Sequence, residues 1–147
     1  MARDNLKEVS FLIVDDDAVS VRSMLRAVKK LKLANDVHVA VDGIEALALL
    51  RGVDGKTAIE PPFIIILDLN MPRMNGLEFL DELRRDPALS SAIVFVLTTS
   101  DATPDVTAAY AKNIAGYVVK EEAYETFRKV LDMLDCYAKL VVLPETV

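Results

Sequence analysis

Five side chains in this sequence have the types and the placement to do chemistry together: Asp15, Asp16, Asp68, Thr98 and Lys120. Each stands at the end of a short apolar run. Phe11 to Val14 stops at Asp15-Asp16-Asp17, Phe63 to Leu67 stops at Asp68, Ile93 to Leu97 runs into Thr98-Thr99-Ser100, and Tyr117 to Val119 ends at Lys120. Carboxylates gathered in one pocket repel each other and raise one another's pKa. A hard divalent cation relieves that repulsion, and Mg²⁺ commonly binds one or two carboxylates together with a phosphate. A carboxylate can itself act as a nucleophile and form an aspartyl-phosphate. Phosphoryl transfer asks a protein mainly for alignment and charge neutralisation. An ammonium, a hydroxyl and Mg²⁺ are donors suited to that task. The chemistry these residues allow is therefore acceptance of a phosphoryl group by Asp68.

For the five to meet, the runs that carry them must be neighbouring strands pointing the same way. The run Phe63 to Leu67 is short, Ile-rich and preceded by Pro61-Pro62, as expected for a strand buried on both faces. Val37 to Val41 supplies one more strand, closed by Asp42-Gly43. Helical spacing separates the strands. Val21, Met24, Leu25, Val28 and Leu31 form one apolar series, with Arg22, Arg26, Lys29 and Lys30 on the wet side. Ile44, Leu47 and Leu50 form a second, followed by a polar loop from Arg51 to Pro62, and Leu77, Phe79, Leu80 and Leu83 form a third. Asn75 with Glu78 three residues on resembles a capping box opening that third helix, which should end near Asp86-Pro87. A shorter helix should follow Pro104, and a last one should start at Glu121-Glu122 and run to about Ala138. Five alternations of strand and helix predict an α/β fold, a doubly wound five-stranded parallel sheet with right-handed crossovers. Such sheets bind ligands outside the carboxyl ends of their strands, where the five residues stand.

Composition narrows the function classes. The chain has 147 residues, 52% hydrophobic and 27% charged, as expected for one globular domain. The formal net charge is −6 and the pI about 4.8. An acidic chain is a poor direct partner for nucleic acid or for an anionic membrane surface. No apolar run approaches the roughly 20 residues of a membrane span, and MARDNLKEVS has no signal-peptide core. One cysteine offers no disulfide framework, so a cytoplasmic location is expected. Cys136 is expected to be a packed thiol, and His38, the sole histidine, a surface strand residue.

Taken together, IVDDD (Ile13 to Asp17), ILDLNMPRMNG (Ile66 to Gly76), VLTTS (Val96 to Ser100) and GYVVK (Gly116 to Lys120) closely resemble the response-regulator receiver domain of two-component signalling. The resemblance spans roughly residues 9–138, leaving 139–147 as a tail with no room for an output domain after it. It implies a flavodoxin-like, CheY-like (βα)₅ fold with Asp68 as phosphoacceptor. It implies that Asp15 and Asp16 hold Mg²⁺, with Asp68 and the Asn70 backbone carbonyl completing the protein ligands. Thr98 is then the switch hydroxyl, Lys120 the lysine that pairs with the phosphoryl group, and Tyr117 the aromatic that turns inward when Thr98 moves. Ser100 would line the path of attacking water and tune dephosphorylation. The implied phosphoryl donor is a histidine kinase. DPAL near Asp86, VLTTSD at Val96 and the LPE tail are similar to small regulators that serve bacterial phytochrome histidine kinases. Glu121 stands where the family usually has proline. A cis bond before a non-proline residue costs about 2.5–4 kcal/mol, so the Lys120–Glu121 bond should be trans.

Two other readings compete. A haloacid-dehalogenase-type phosphohydrolase would need an acid two residues after the nucleophile, where this chain has Asn70. A degenerate receiver, a docking module independent of phosphorylation, would have lost an acid or the lysine, and this chain keeps them all. The C-terminal end also predicts a homodimer. Phe127, Val130, Leu131, Leu134 and Ala138 fall on one side of the last helix and should face the sheet. Met133, Cys136, Tyr137 and Leu140 form a second apolar stripe, and Leu140 to Leu143 continues it. Apolar surface left in water marks a binding site. Met133, Tyr137, Leu140 and Val142 are accordingly the expected contacts of a symmetric pair.

Overall fold

The structure, a computed structural model, describes residues 9–144. Five strands alternate with five helices: β1 (Ser10–Val14), α1 (Ala18–Lys30), β2 (Val37–Ala40), α2 (Gly43–Arg51), β3 (Phe63–Leu67), α3 (Gly76–Arg85), β4 (Ile93–Thr98), α4 (Thr103–Tyr110), β5 (Gly116–Val119) and α5 (Ala123–Leu140). All strand pairs are parallel, in the order β2-β1-β3-β4-β5. The order reverses direction between β1 and β3. There the crossover helices leave on opposite faces and open a crevice at the strand ends.

The alternation of side chains along each strand divides the core in two. Leu12, Val14, Ile65, Leu67, Val94 and Val96 point to one face, covered by Ala46, Leu47 and Leu50 of α2, Phe79, Leu80 and Leu83 of α3, and Ala109 of α4. Phe11, Ile13, Ile64, Ile66, Phe95 and Leu97 point to the other, covered by Met24 and Ala27 of α1 and by Phe127, Val130, Leu131, Leu134 and Ala138 of α5. Both faces of the inner strands are dry, which is why they read as unbroken apolar runs.

Helix starts follow local rules. Asp17 caps α1 through the Val19 and Ser20 amides, and Asp42 caps α2 through the Glu45 amide. Asn75 and Glu78 form the expected capping box on α3. Gly76 is required by space. A Cβ there would meet the Asp68 carbonyl oxygen at 2.5 Å and the Leu69 Cα at 2.7 Å, so the loop after β3 could not fold down onto the strand end. Pro61–Pro62 is the cis peptide bond among the described residues, and Lys120–Glu121 is trans as expected.

Three expectations are corrected. Leu25 belongs to no buried stripe. The inward face of α1 is Ser20, Met24 and Ala27, and Leu25, about 100° round from Met24, is exposed. Cys136 is exposed rather than packed. The second stripe of α5 is not wholly unpartnered, because Tyr137 stacks edge-on against Phe95, with ring centroids 5.5 Å apart at 90°. Beyond α5 the chain partly folds back, with Leu143 buried against the α1–α5 face while Leu140 and Val142 stay 70% and 76% exposed.

Candidate functional site

Backbone registry places the pocket. Val14 lies opposite Leu67, Leu67 opposite Val96, and Thr98 opposite Val119. The residues that follow these strands therefore emerge side by side. Asp15 is tied by its N–H to the Ala40 carbonyl, Asp68 to the Val14 carbonyl, and Lys120 to the Thr98 carbonyl at 2.6 Å. Asp15, Asp68, Thr98 and Lys120 are all buried, and Asp16 is exposed at the rim.

Carboxylate oxygens of Asp15, Asp16 and Asp68 lie within 4.8 Å of one another. Asp15 Oδ1 accepts from the Asp17 amide at 2.9 Å, and its Oδ2 accepts from Lys120 Nζ at 3.1 Å. Asp68 Oδ1 accepts only a long bond, 3.4 Å, from the Asn70 amide. Burial pushes the Asp68 carboxyl above the usual carboxylate range, and the Asp15 charge adds to the rise. The Thr98 hydroxyl, the Lys120 ammonium and the Asn70 amide pull the other way without cancelling it. Thr98 Oγ1 is fully buried and makes no hydrogen bond of acceptable geometry. It sits near enough to Asp68 to favour the charged form, yet its hydrogen-bonding capacity is unspent.

This arrangement suits a hard cation. Three oxygen donors converge, one of them is energetically disfavoured as a bare anion, and no nitrogen or sulfur ligand competes within that cluster. The same geometry suits an anionic group on Asp68, since the buried Thr98 hydroxyl has a proton to donate.

Tyr117 and Ser100 lie beside the pocket. The Tyr117 hydroxyl donates to the Ser100 carbonyl at 2.8 Å, and its half-buried ring packs on the α2–α4 core. Burial raises the Tyr117 pKa, so the phenol keeps its proton. The Ser100 hydroxyl donates to Asp105 Oδ2 at 2.5 Å, which ties the loop after β4 to the first turn of α4. Asn70 is exposed in the loop after β3. Met133, Tyr137, Leu140 and Val142 lie elsewhere, on α5 and just past it.

Three residues of this region escape a reading by strand ends. Ser20, buried at 6% exposure, takes a hydrogen bond from Lys120 Nζ at 3.3 Å. The signal was a serine in the inward face of an otherwise apolar helix stripe. Asp42 and Arg73 meet at 2.7 Å and join the turn before α2 to the loop after β3. No local pattern announces a pair 31 residues apart.

Known proteins share this layout. The chain is 29% identical to response regulator Rcp1 of Synechocystis sp. over 134 residues, 90% of this chain and 91% of that protein. The crystal structure of the phosphorylated cyanobacterial phytochrome response regulator RcpA superposes with a TM-score of 0.84 at 28% identity, covering 93% of this chain and 99% of that one. The Mn²⁺-bound form of Rcp1 superposes with a TM-score of 0.78 at 28% identity, covering 92% and 99%. Residues 11–132 match the response regulator receiver domain. They include the acidic cluster, the buried hydroxyl and the lysine, and the chain belongs to the response-regulator receiver family.

Proposed function

We propose that Asp68 is the phosphoacceptor of a two-component phosphorelay, supplied by a histidine kinase. The observation that carries this is the convergence of Asp15, Asp16 and Asp68 beside a buried Thr98 hydroxyl with no partner. An Asp68 carboxylate oxygen attacks the phosphorus of a phosphohistidine. The N–P bond breaks, and the imidazole nitrogen leaves with the electron pair. Asp15, Asp16 and Asp68, with the Asn70 carbonyl, would hold Mg²⁺, which supplies charge neutralisation to the transferred group. Thr98 donates its free proton to the phosphoryl oxygens, and Lys120 offsets their charge. Thr98 drawn toward Asp68 pulls on the loop from Thr99 to Pro104, and Tyr117 follows through its bond to the Ser100 carbonyl. Ser100 tunes hydrolysis from the rim once its hydroxyl leaves Asp105.

The chain then acts as a switch rather than as an enzyme on other substrates, by protein contact or onward phosphotransfer in the cytoplasm. Relatives named as phytochrome response regulators support a bacterial phytochrome as the kinase. Among the described residues no helix is long and apolar enough to cross a membrane. A homodimer through the C-terminal end is supported by Met133, Leu140 and Val142, whose apolar side chains face water.

Acetyl phosphate with Mg²⁺, followed by intact-mass measurement, tests the acceptor. Wild type should gain one phosphoryl mass, EDTA should block it, and Asp68→Asn should gain none. Labelling of Asp68→Asn at the wild-type rate sinks the reading.

A further inference from the structure

Lys120 does not rest on Asp68. Its ammonium has three donors, and among the described residues it bonds Asp15 Oδ2 at 3.1 Å and Ser20 Oγ at 3.3 Å, on the β1–α1 side of the pocket. Asp68 feels Lys120 through its charge alone. Ser20 is an unusual resident of its position. It shares the inward face of α1 with Met24 and Ala27, in the shell of the apolar core. A polar group in such a place costs stability unless it is bonded.

The hydroxyl of Ser20 is held in one orientation. It donates its proton to Asp17 Oδ2 at 3.2 Å, which leaves its lone pairs facing the Lys120 ammonium. The cap on α1 does not need this side chain, because Asp17 Oδ1 takes the Val19 and Ser20 amides directly. Lys120 and Ser20 stand 100 residues apart in the chain, so the contact is a product of the fold.

We infer that Ser20 is a positioning residue that parks Lys120 against β1 and α1 in the resting state. This rests on the reading of Lys120 as the partner of a phosphoryl group on Asp68. On this inference Lys120 swings off Ser20 to meet such a group. The bond therefore stabilises the unmodified protein relative to the modified one and sets how tightly the pocket holds a phosphoryl group. A bond made in one state and lost in the other is worth about 1 kcal/mol net, or about fivefold in affinity.

Two measurements on Ser20→Ala and Ser20→Thr test this. In metal-free protein labelled at lysine Cε, with Lys120→Arg identifying the resonance, the Lys120 signal should move toward that of free lysine in Ser20→Ala and stay near wild type in Ser20→Thr. With Mg²⁺ saturating, beryllofluoride titrated as a phosphoryl mimic should bind Ser20→Ala about fivefold more tightly than wild type, and Ser20→Thr should restore the wild-type value. An unmoved Lys120 signal overturns the inference, as does unchanged or weaker beryllofluoride binding in Ser20→Ala. Wild type that takes up no beryllofluoride removes the reading of Asp68 instead, and the metal-free arm still judges Ser20.

Discussion

Arg73 Nε lies 2.7 Å from Asp42 Oδ2 and ties the loop after Asp68 to the turn that opens α2. Asp42 is buried and Arg73 is mostly exposed, in a left-handed backbone conformation at φ 60°. The same two loops meet again where the Gly43 amide donates to the Met74 carbonyl at 3.2 Å. The pair thus braces the loop that carries Asn70, on the side of the pocket away from Lys120. Asp42→Ala removes both the brace and the α2 cap, and should cost about 1–2 kcal/mol. Arg73→Ala should cost less, since its head is solvated. Urea unfolding of the two variants at neutral pH checks the order.

The Asp42 carboxyl also sets an acid limit. Burial alone would raise its pKa, but the Glu45 amide and Arg73 outweigh it and hold the group below its ordinary value of 3.8. A carboxyl depressed in the folded state stabilises the protein above its unfolded pKa, and that stability is lost as pH falls through the folded one. The wild-type advantage over Asp42→Asn should therefore be constant at neutral pH and shrink below about pH 4. An advantage that grows on acidification contradicts this sign.

Asp68 titrates in the opposite sense. Its folded pKa is raised, chiefly by burial, above the ordinary 3.8. The folded state then prefers the protonated form, and stability is lost as pH rises above 3.8 and through the folded value. Without divalent cation, Asp68→Asn should melt above wild type at pH 7, by about 2–4 °C for each kcal/mol relieved. The gap should close as pH falls toward 4. Calorimetry across pH, repeated with Mg²⁺, checks this, and Mg²⁺ should raise the wild-type midpoint more than the variant's.

Tyr117→Phe tests the proposed coupling between the pocket and the loop after β4. It removes the bond to the Ser100 carbonyl and leaves the ring in place. Phosphorylation of Asp68 should survive, while amide shifts caused by beryllofluoride should fade beyond Ser100. Shifts that reach β5 undiminished in Tyr117→Phe would show that the hydroxyl carries no coupling.

The C-terminal surface needs probes that spare the core. Tyr137 packs on Phe95, so a charge there would damage the fold itself. Leu140→Asp and Val142→Asp change side chains that face water. Light scattering at tens of micromolar should show a wild-type dimer and monomeric variants, with equal melting of the monomers. A wild type that stays monomeric, phosphorylated or not, removes the dimer.

The α/β alternation, the parallel sheet and the strand-end residues of the pocket are legible in the sequence. Strands buried on both faces leave unbroken apolar runs, and Asp15, Asp68, Thr98 and Lys120 are adjacent in sequence to the runs that deliver them. What those residues touch follows from contacts made only in the folded chain. Lys120 bonds Asp15 and Ser20, the latter 100 residues earlier in the first turn of α1. The Arg73–Asp42 brace depends on two loops meeting across the sheet edge. The tail shows the same division. The pattern sets Tyr137 and Leu140 in one apolar stripe and Leu143 in the run that continues it, but Tyr137 meets Phe95 of β4, Leu143 packs past the helix end against the α1–α5 face, and Leu140 stays in water. Local pattern records which residues a helix or strand can bury. Which of them find a partner is settled by contacts between segments far apart in the chain.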